Sequence, residues 1–159
     1  MTLRGPLADR TRWSTEQCSI GKAMDIVGSR SAMLILREAF YGTTRFDDFA
    51  QRVGISDAAA ATRLKSLVDN GILTKTPYRE PGQRVRHEYT LTAKGRDLLP
   101  AVLALMQWGN AYLQDDGGPL SVVDADTAEA VSVAPHTGTG EVDLDRMELR
   151  INPRWARSR

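Results

Sequence analysis

Phe46-Asp47-Asp48-Phe49-Ala50-Gln51-Arg52-Val53-Gly54-Ile55-Ser56 is the stretch whose reading decides the fold. Phe46, Phe49, Ala50 and Val53 recur at three- and four-residue spacing, which predicts a short helix from about Phe46 to Val53 with one apolar face. Gly54 suits the left-handed close of that helix, and Ser56 is a good N-cap for a second one. The second helix is expected from about Asp57 to Asn70, with Ala60, Ala61, Leu64, Leu67 and Val68 turned inward and Gly71 beyond its end. Two short amphipathic helices joined at a glycine corner form a helix-turn-helix pattern.

Upstream, Ile20, Ala23, Met24 and Val27 predict a helix over about Ser19 to Val27, closed by Gly28. Ser29 can cap the next helix, which carries Ala32, Met33, Ile35, Leu36, Ala39 and Phe40 and stops at Gly42. Apolar on much of its circumference, that helix belongs at the centre of the core. Thr43-Thr44-Arg45 is a short extended piece. Downstream, Ile72 to Pro77 and Arg86 to Leu91 read as strands, and Pro81-Gly82 between them is a turn signal. A long helix is expected after Thr92, to about Gln114, bent by Pro100. Its apolar residues cover more than one side, so one side faces the domain and the other requires a partner, most economically a second copy.

The order of three helices, corner, helix, hairpin and helix is that of a winged helix. The expected class is mainly α with a small β-hairpin wing (α+β), a long C-terminal dimerisation helix and a small C-terminal β extension. The organisation follows: an N-terminal arm over 1–14, mobile to Arg12; a winged helix-turn-helix DNA-binding and dimerisation domain over 15–114; and a linker and extension over 115–159. The extension carries two short strands, Glu129 to Ala134 and Met147 to Ile151, and the arginine-rich end from Arg154 to Arg159 is expected to fray.

Composition narrows the function classes. At 159 residues with 42% apolar side chains the chain can bury a core. The longest apolar run, Leu98 to Met106, is interrupted by Pro100 and is too short to span a bilayer. The N-terminus lacks the apolar stretch of a secretory signal, so the expected compartment is the cytoplasm. One cysteine and two histidines, His87 and His136, make a structural zinc site improbable, and no metal or cofactor is expected. No phosphate-cradling glycine loop, zinc-protease helix or nucleophile elbow occurs, so an enzyme is not expected. The formal charge of +1 divides into +5 over residues 1–100 and −4 over residues 101–159. Lys75 to Arg96 alone holds six basic residues against Glu80 and Glu88, a balance that suits a polyanion or a solvated surface.

The helix after the corner can enter a major groove about 12 Å wide. Its outward face offers Ser56, Ala59, Thr62, Arg63 and Ser66. Ser56 can give its hydroxyl and the helix amides to a phosphate, or only cap its helix. Arg63 can fork onto guanine or phosphate, or pair with a surface carboxylate. Arg79, Arg84 and Arg86 on the hairpin suit phosphates or the minor groove, and Arg45 joins them as a candidate DNA contact. Cys18, just ahead of the first helix and one turn from Lys22, is a candidate redox or electrophile sensor; the alternative is a small buried hydrophobe. The rival to a DNA-binding regulator is a winged-helix protein-interaction module whose alanine-rich helix docks a partner. A small-molecule enzyme is more remote.

These pieces, in order, resemble the HxlR family of bacterial transcription regulators. The resemblance is carried over about residues 15–114 by Cys18-x-Ile20, Ala23-x-Asp25-x-Val27-Gly28, Leu34-Ile35-Leu36-Arg37-Glu38 and Arg45-Phe46-x-x-Phe49. It continues through Gly54-Ile55-Ser56, Arg63-Leu64-x-x-Leu67, Gly71-Ile72-Leu73, Tyr78-Arg79-x-Pro81 and Arg84-Val85-x-x-Glu88-Tyr89, then Leu91-Thr92-x-x-Gly95, Leu98-x-Pro100 and Trp108-Gly109. It implies a homodimer built through the first and last helices, which singles out Ile20, Met24, Leu105, Trp108 and Tyr112 as interface residues. It further implies double-stranded DNA as partner, near-palindromic operators, nucleoid association and, in some relatives, sensing through a cysteine at the place of Cys18, with a small-molecule effector as a further partner. The chain departs from the family at Arg30-Ser31, where a Lys-Trp pair is usual, and at Ser56-Asp57-Ala58, where Ser-Pro-Lys is usual. The extension lacks the paired cysteines of some relatives, so metal binding is not carried over.

Overall fold

The computed structural model describes residues 2–3 and 5–152. Its elements in chain order are β1 (Thr2–Leu3), α1 (Ser19–Val27), α2 (Arg30–Phe40), α3 (Phe46–Val53), α4 (Asp57–Asp69), β2 (Leu73–Tyr78), β3 (Arg86–Leu91), α5 (Ala93–Arg96), α6 (Leu99–Leu113), β4 (His136–Thr137), β5 (Gly140–Glu141) and β6 (Glu148–Leu149). Short 3-10 turns occupy Gly5–Ala8, Arg10–Arg12, Thr15–Gln17 and Leu144–Arg146. The mainly helical chain with its two-stranded antiparallel wing is the winged helix expected from the sequence.

Helix spacing produces the core directly. Ala32, Ile35 and Leu36 on α2, Phe49, Ala50 and Val53 on α3, and Ala60, Leu64 and Leu67 on α4 are buried. Each set repeats at three or four residues, so each helix offers one stripe to the others. Ala61, expected inside, is exposed: α4 buries a narrower stripe than its alanine content suggested, and its remaining surface faces water. Ile72, Leu73 and Tyr89 close the core from the wing side, with Tyr89 edge-on to Phe49 at 6.3 Å between ring centroids.

The wing is an antiparallel ladder running from Leu73↔Leu91 to Tyr78↔Arg86. Thr43–Arg45 flanks β3 on the other side, through the bridge Arg45↔Glu88 and the bond from Tyr89 N–H to Thr44 O at 2.8 Å. β2 is therefore an edge strand, which is where Pro77, lacking an N–H, is tolerated.

Further expectations are corrected. The long helix after Thr92 is not one bent rod but two helices, α5 and α6, with Pro100 in the first turn of α6. Without an N–H, Pro100 cannot bond to the carbonyl of Arg96, so α5 stops there and the proline starts a new helix instead. Gly95 in α5 lies so close to Ile72 O that a Cβ would overlap it, which docks α5 tightly onto the start of β2.

The extension is also rearranged. Glu129 to Ala134 is no strand; it makes one bridge, Val123↔Ala130, and its Val133 is held by a side chain of α6. Of Met147 to Ile151 only Glu148–Leu149 is a strand, and between the two segments β4–β5 forms a small hairpin. β6 pairs in parallel with β1, so the N-terminal stretch expected as a mobile arm is tied to the extension. Alternation in a short polar segment does not reveal which edge it meets, and here the edges are distant in sequence. The expected fraying of Arg154 to Arg159 lies outside the described residues. Among the described residues no helix is long and apolar enough to cross a membrane.

Candidate nucleic-acid interface

The corner is closed by Gly54 at φ 70°, ψ 44°, where its N–H and that of Ile55 both bond to Ala50 O. This left-handed conformation is the one glycine adopts without a Cβ penalty. The chain then reverses into Ser56, whose Oγ accepts from Ala59 N–H at 3.3 Å and starts α4. Ser56 and Thr62 are exposed, Ala59 half-buried, and Thr62 returns its hydroxyl to Ala58 O at 2.9 Å. Arg63 is half-buried and donates through Nε to Ser31 Oγ at 3.2 Å, so it is steadied by α2 rather than by a carboxylate. Ser31 occupies one of the two positions that depart from the family pattern, and the signal for the contact was the small hydroxyl at that place. Ser66 is half-buried.

The wing presents its arginines in three different states. Arg79 donates through Nε to Gln83 O at 3.0 Å and clasps the loop. Arg84 is exposed, with no hydrogen bond or ion pair among the described residues. Arg86 reaches Asp47 Oδ2 on α3 at 3.4 Å. Arg45 lies 3.5 Å from the centroid of the Tyr78 ring and 3.4 Å from Glu88 Oε1, and its Nη1 is buried without a hydrogen-bond partner. A cleft of about 290 Å³ at the wing base is lined by Arg45, Asp47, Tyr78, Arg84, Arg86 and His87, with Tyr89 behind. Burial pushes the Tyr89 phenol up from its ordinary value, so it stays neutral. Asp47, Tyr78 and Glu88 as partners of the arginines escaped the sequence reading. The wing register sets Arg86 and Glu88 on the same face two residues apart, but their partners, Asp47 and Arg45, lie about 40 residues upstream, where no local pattern links them.

The remaining candidates lie elsewhere. Cys18 is exposed and caps α1, its Sγ accepting from Gly21 N–H at 3.4 Å; it is not a buried hydrophobe. Ile20 and Met24 on α1 and Leu105, Trp108 and Tyr112 on α6 are all more than half exposed, Tyr112 at 73% and Ile20 at 74%. Trp108 and Tyr112 lie one turn apart with ring centroids at 5.7 Å. Both helices thus carry an apolar face that nothing in the described chain covers.

The comparisons agree with this geometry. A family model for HxlR-like helix-turn-helix proteins matches residues 26–117. The chain is 46% identical over 101 residues to the HTH-type transcriptional regulator Rv3095 of Mycobacterium tuberculosis, taking in 64% of this chain and 63% of that one. It therefore spans less than two thirds of the length of that mycobacterial relative. With sll1512, an HTH-type transcriptional regulator of Synechocystis, it shares 31% identity over 107 residues, 67% of this chain and 78% of the other. Among solved structures, the transcription factor PA1607 superposes with a TM-score of 0.75 at 31% identity, over 86% of this chain and 95% of that one. The redox regulator HypR in its reduced form superposes with a TM-score of 0.53 at 26% identity, over 58% of this chain and 90% of the other. The winged fold, the residues about the Gly54 corner and the match across more than half its length establish that the chain belongs to the HxlR-like helix-turn-helix family.

Proposed function

We propose that this chain is a transcription regulator that binds double-stranded DNA as a homodimer on a near-palindromic operator. The observation that carries the reading is α4. Its inner face, Ala60, Leu64 and Leu67, is fully buried, while Ser56, Ala58 and Thr62 stand in water beyond a left-handed corner. A helix fixed on one side and clothed in small and hydroxyl side chains on the other fits a major groove. In this reading Ser56, Ala59, Thr62 and Arg63 meet the bases and flanking phosphates, Arg63 through the Nη groups its Ser31 bond leaves over. Arg79, Arg84 and Arg86 meet the backbone, and Arg45 sets the wing. The names of the regulators to which the chain is similar support the assignment. A second copy of the chain covers Ile20, Met24, Leu105, Trp108 and Tyr112, with residues 15–114 carrying both functions and Cys18 modulating them. The exposure of those five side chains supports that proposal.

The test is a titration of fluorescent duplex at several salt concentrations, comparing the wild-type chain with the Arg79→Gln/Arg84→Gln variant. Wild-type affinity is expected to fall steeply with salt, and the variant to lose about 0.9 of slope in log K against log salt for each phosphate contact removed. Failure to bind duplex, or binding that neither salt nor the variant changes, contradicts the DNA reading.

A further inference from the structure

Two ion pairs join the wing to the start of α3, and they are built differently. Arg45–Glu88 lies beneath the stacked Tyr78 ring and beside a main-chain bridge, so it is part of the sheet. Arg86–Asp47 has no such frame: Nη1 and Oδ2 stand 3.4 Å apart, and the two side chains remain 51% and 76% exposed. Arg86 is the first residue of β3 after the loop that carries Arg84. It opens on the same wing-base cleft as Arg84.

We propose that Asp47 is an electrostatic latch, a carboxylate that holds the Arg86 guanidinium in the place a DNA backbone phosphate would take. The inference rests on the DNA-binding reading above and deepens it. A carboxylate and a phosphate present similar paired oxygens to a guanidinium fork, so one can stand in for the other. An ion pair this exposed is weak, because water screens it, and so it neither braces the fold nor needs a large force to exchange. What it does is compete with a phosphate for one of the cations the wing offers to a duplex. Arg84 is left as the unengaged wing arginine, and Arg86 becomes conditional on Asp47.

The latch makes a prediction that simple charge removal does not. Asp47→Asn frees Arg86 for a phosphate, so the salt slope for duplex binding steepens by about 0.9, and its advantage over wild type shrinks by about threefold between 50 and 200 mM salt. In an Arg86→Gln background the same substitution adds nothing to the slope. Asp48→Asn, which removes an equal charge one residue away, leaves the slope as in wild type. An unchanged slope in Asp47→Asn overturns the latch while leaving DNA binding intact. So does a gain that persists without Arg86, or an equal gain from Asp48→Asn. A wild-type chain that fails to bind duplex at all overturns the DNA reading and the latch together.

Discussion

Glu38 and Thr43 are the buried polar side chains among the described residues, and they form one network. Glu38 Oε1 accepts from Arg37 Nε at 3.1 Å and Nη2 at 2.6 Å, while Oε2 accepts from Thr43 Oγ1 at 3.2 Å. Arg52 donates to Thr43 Oγ1 at 3.0 Å from the last turn of α3. A carboxylate in the core needs every such partner, because each lone pair left bare costs desolvation energy. The network ties the end of α2 to the last turn of α3, at Arg52, two residues before Gly54, so it steers α4. Cys18 is a different kind of residue, exposed at the start of α1. In the proposed reading it modulates DNA binding. As the chain's single cysteine, it can form a disulfide only with another chain or a small thiol. Diamide is expected to weaken duplex binding of the wild type at least tenfold and to leave Cys18→Ser unmoved. An equal response in both, read by fluorescence anisotropy, removes the sensor.

Elements were legible where a single periodicity settled them. α1, α3 and β3 are found at the expected residues, and the helix-turn-helix with its Ser56 cap followed from Gly54 and the apolar spacing alone. The site's charged partners were not legible, because Asp47 meets Arg86 across a separation of 39 residues that no local pattern encodes. The α5–α6 break is half visible in the sequence: Pro100 marks the place, but bend and break differ only in whether neighbouring packing rewards the stop, as Gly95 against Ile72 does. The extension was least legible, since side chains rather than ladders hold it. Gln107 on α6 accepts from Val133 N–H at 2.5 Å and donates to Val133 O at 3.2 Å, an amide doing the work of a strand rung. Asn110 Nδ2 donates to Leu120 O one turn on. Gln107→Ala is expected to speed amide exchange at Val133 about tenfold, the factor for a lost bond of about 1.4 kcal/mol, without changing exchange in α2 or α4. Unaltered exchange at Val133 means the segment is held by other contacts.

At the scale of the whole molecule, charge and apolar surface are segregated. The excess of basic residues falls in 1–100, with the corner and the wing, and the acidic excess in 101–159, with α6 and the extension. A polyanion is attracted to the first part and repelled by the second, which in the proposed reading would orient the chain on a duplex before any base is touched. The uncovered side chains of α1 and α6 supply the face on which a second copy would sit in the proposed dimer. Two-fold symmetry then sets two α4 helices in successive major grooves. The most direct measurement of that claim is selection of random-sequence duplexes by the purified chain, followed by sequencing. The expected result is enrichment of two inverted half-sites whose centres lie about 10 base pairs, one helical turn, apart. A pool that stays random, or a single half-site without its mirror image, would contradict it.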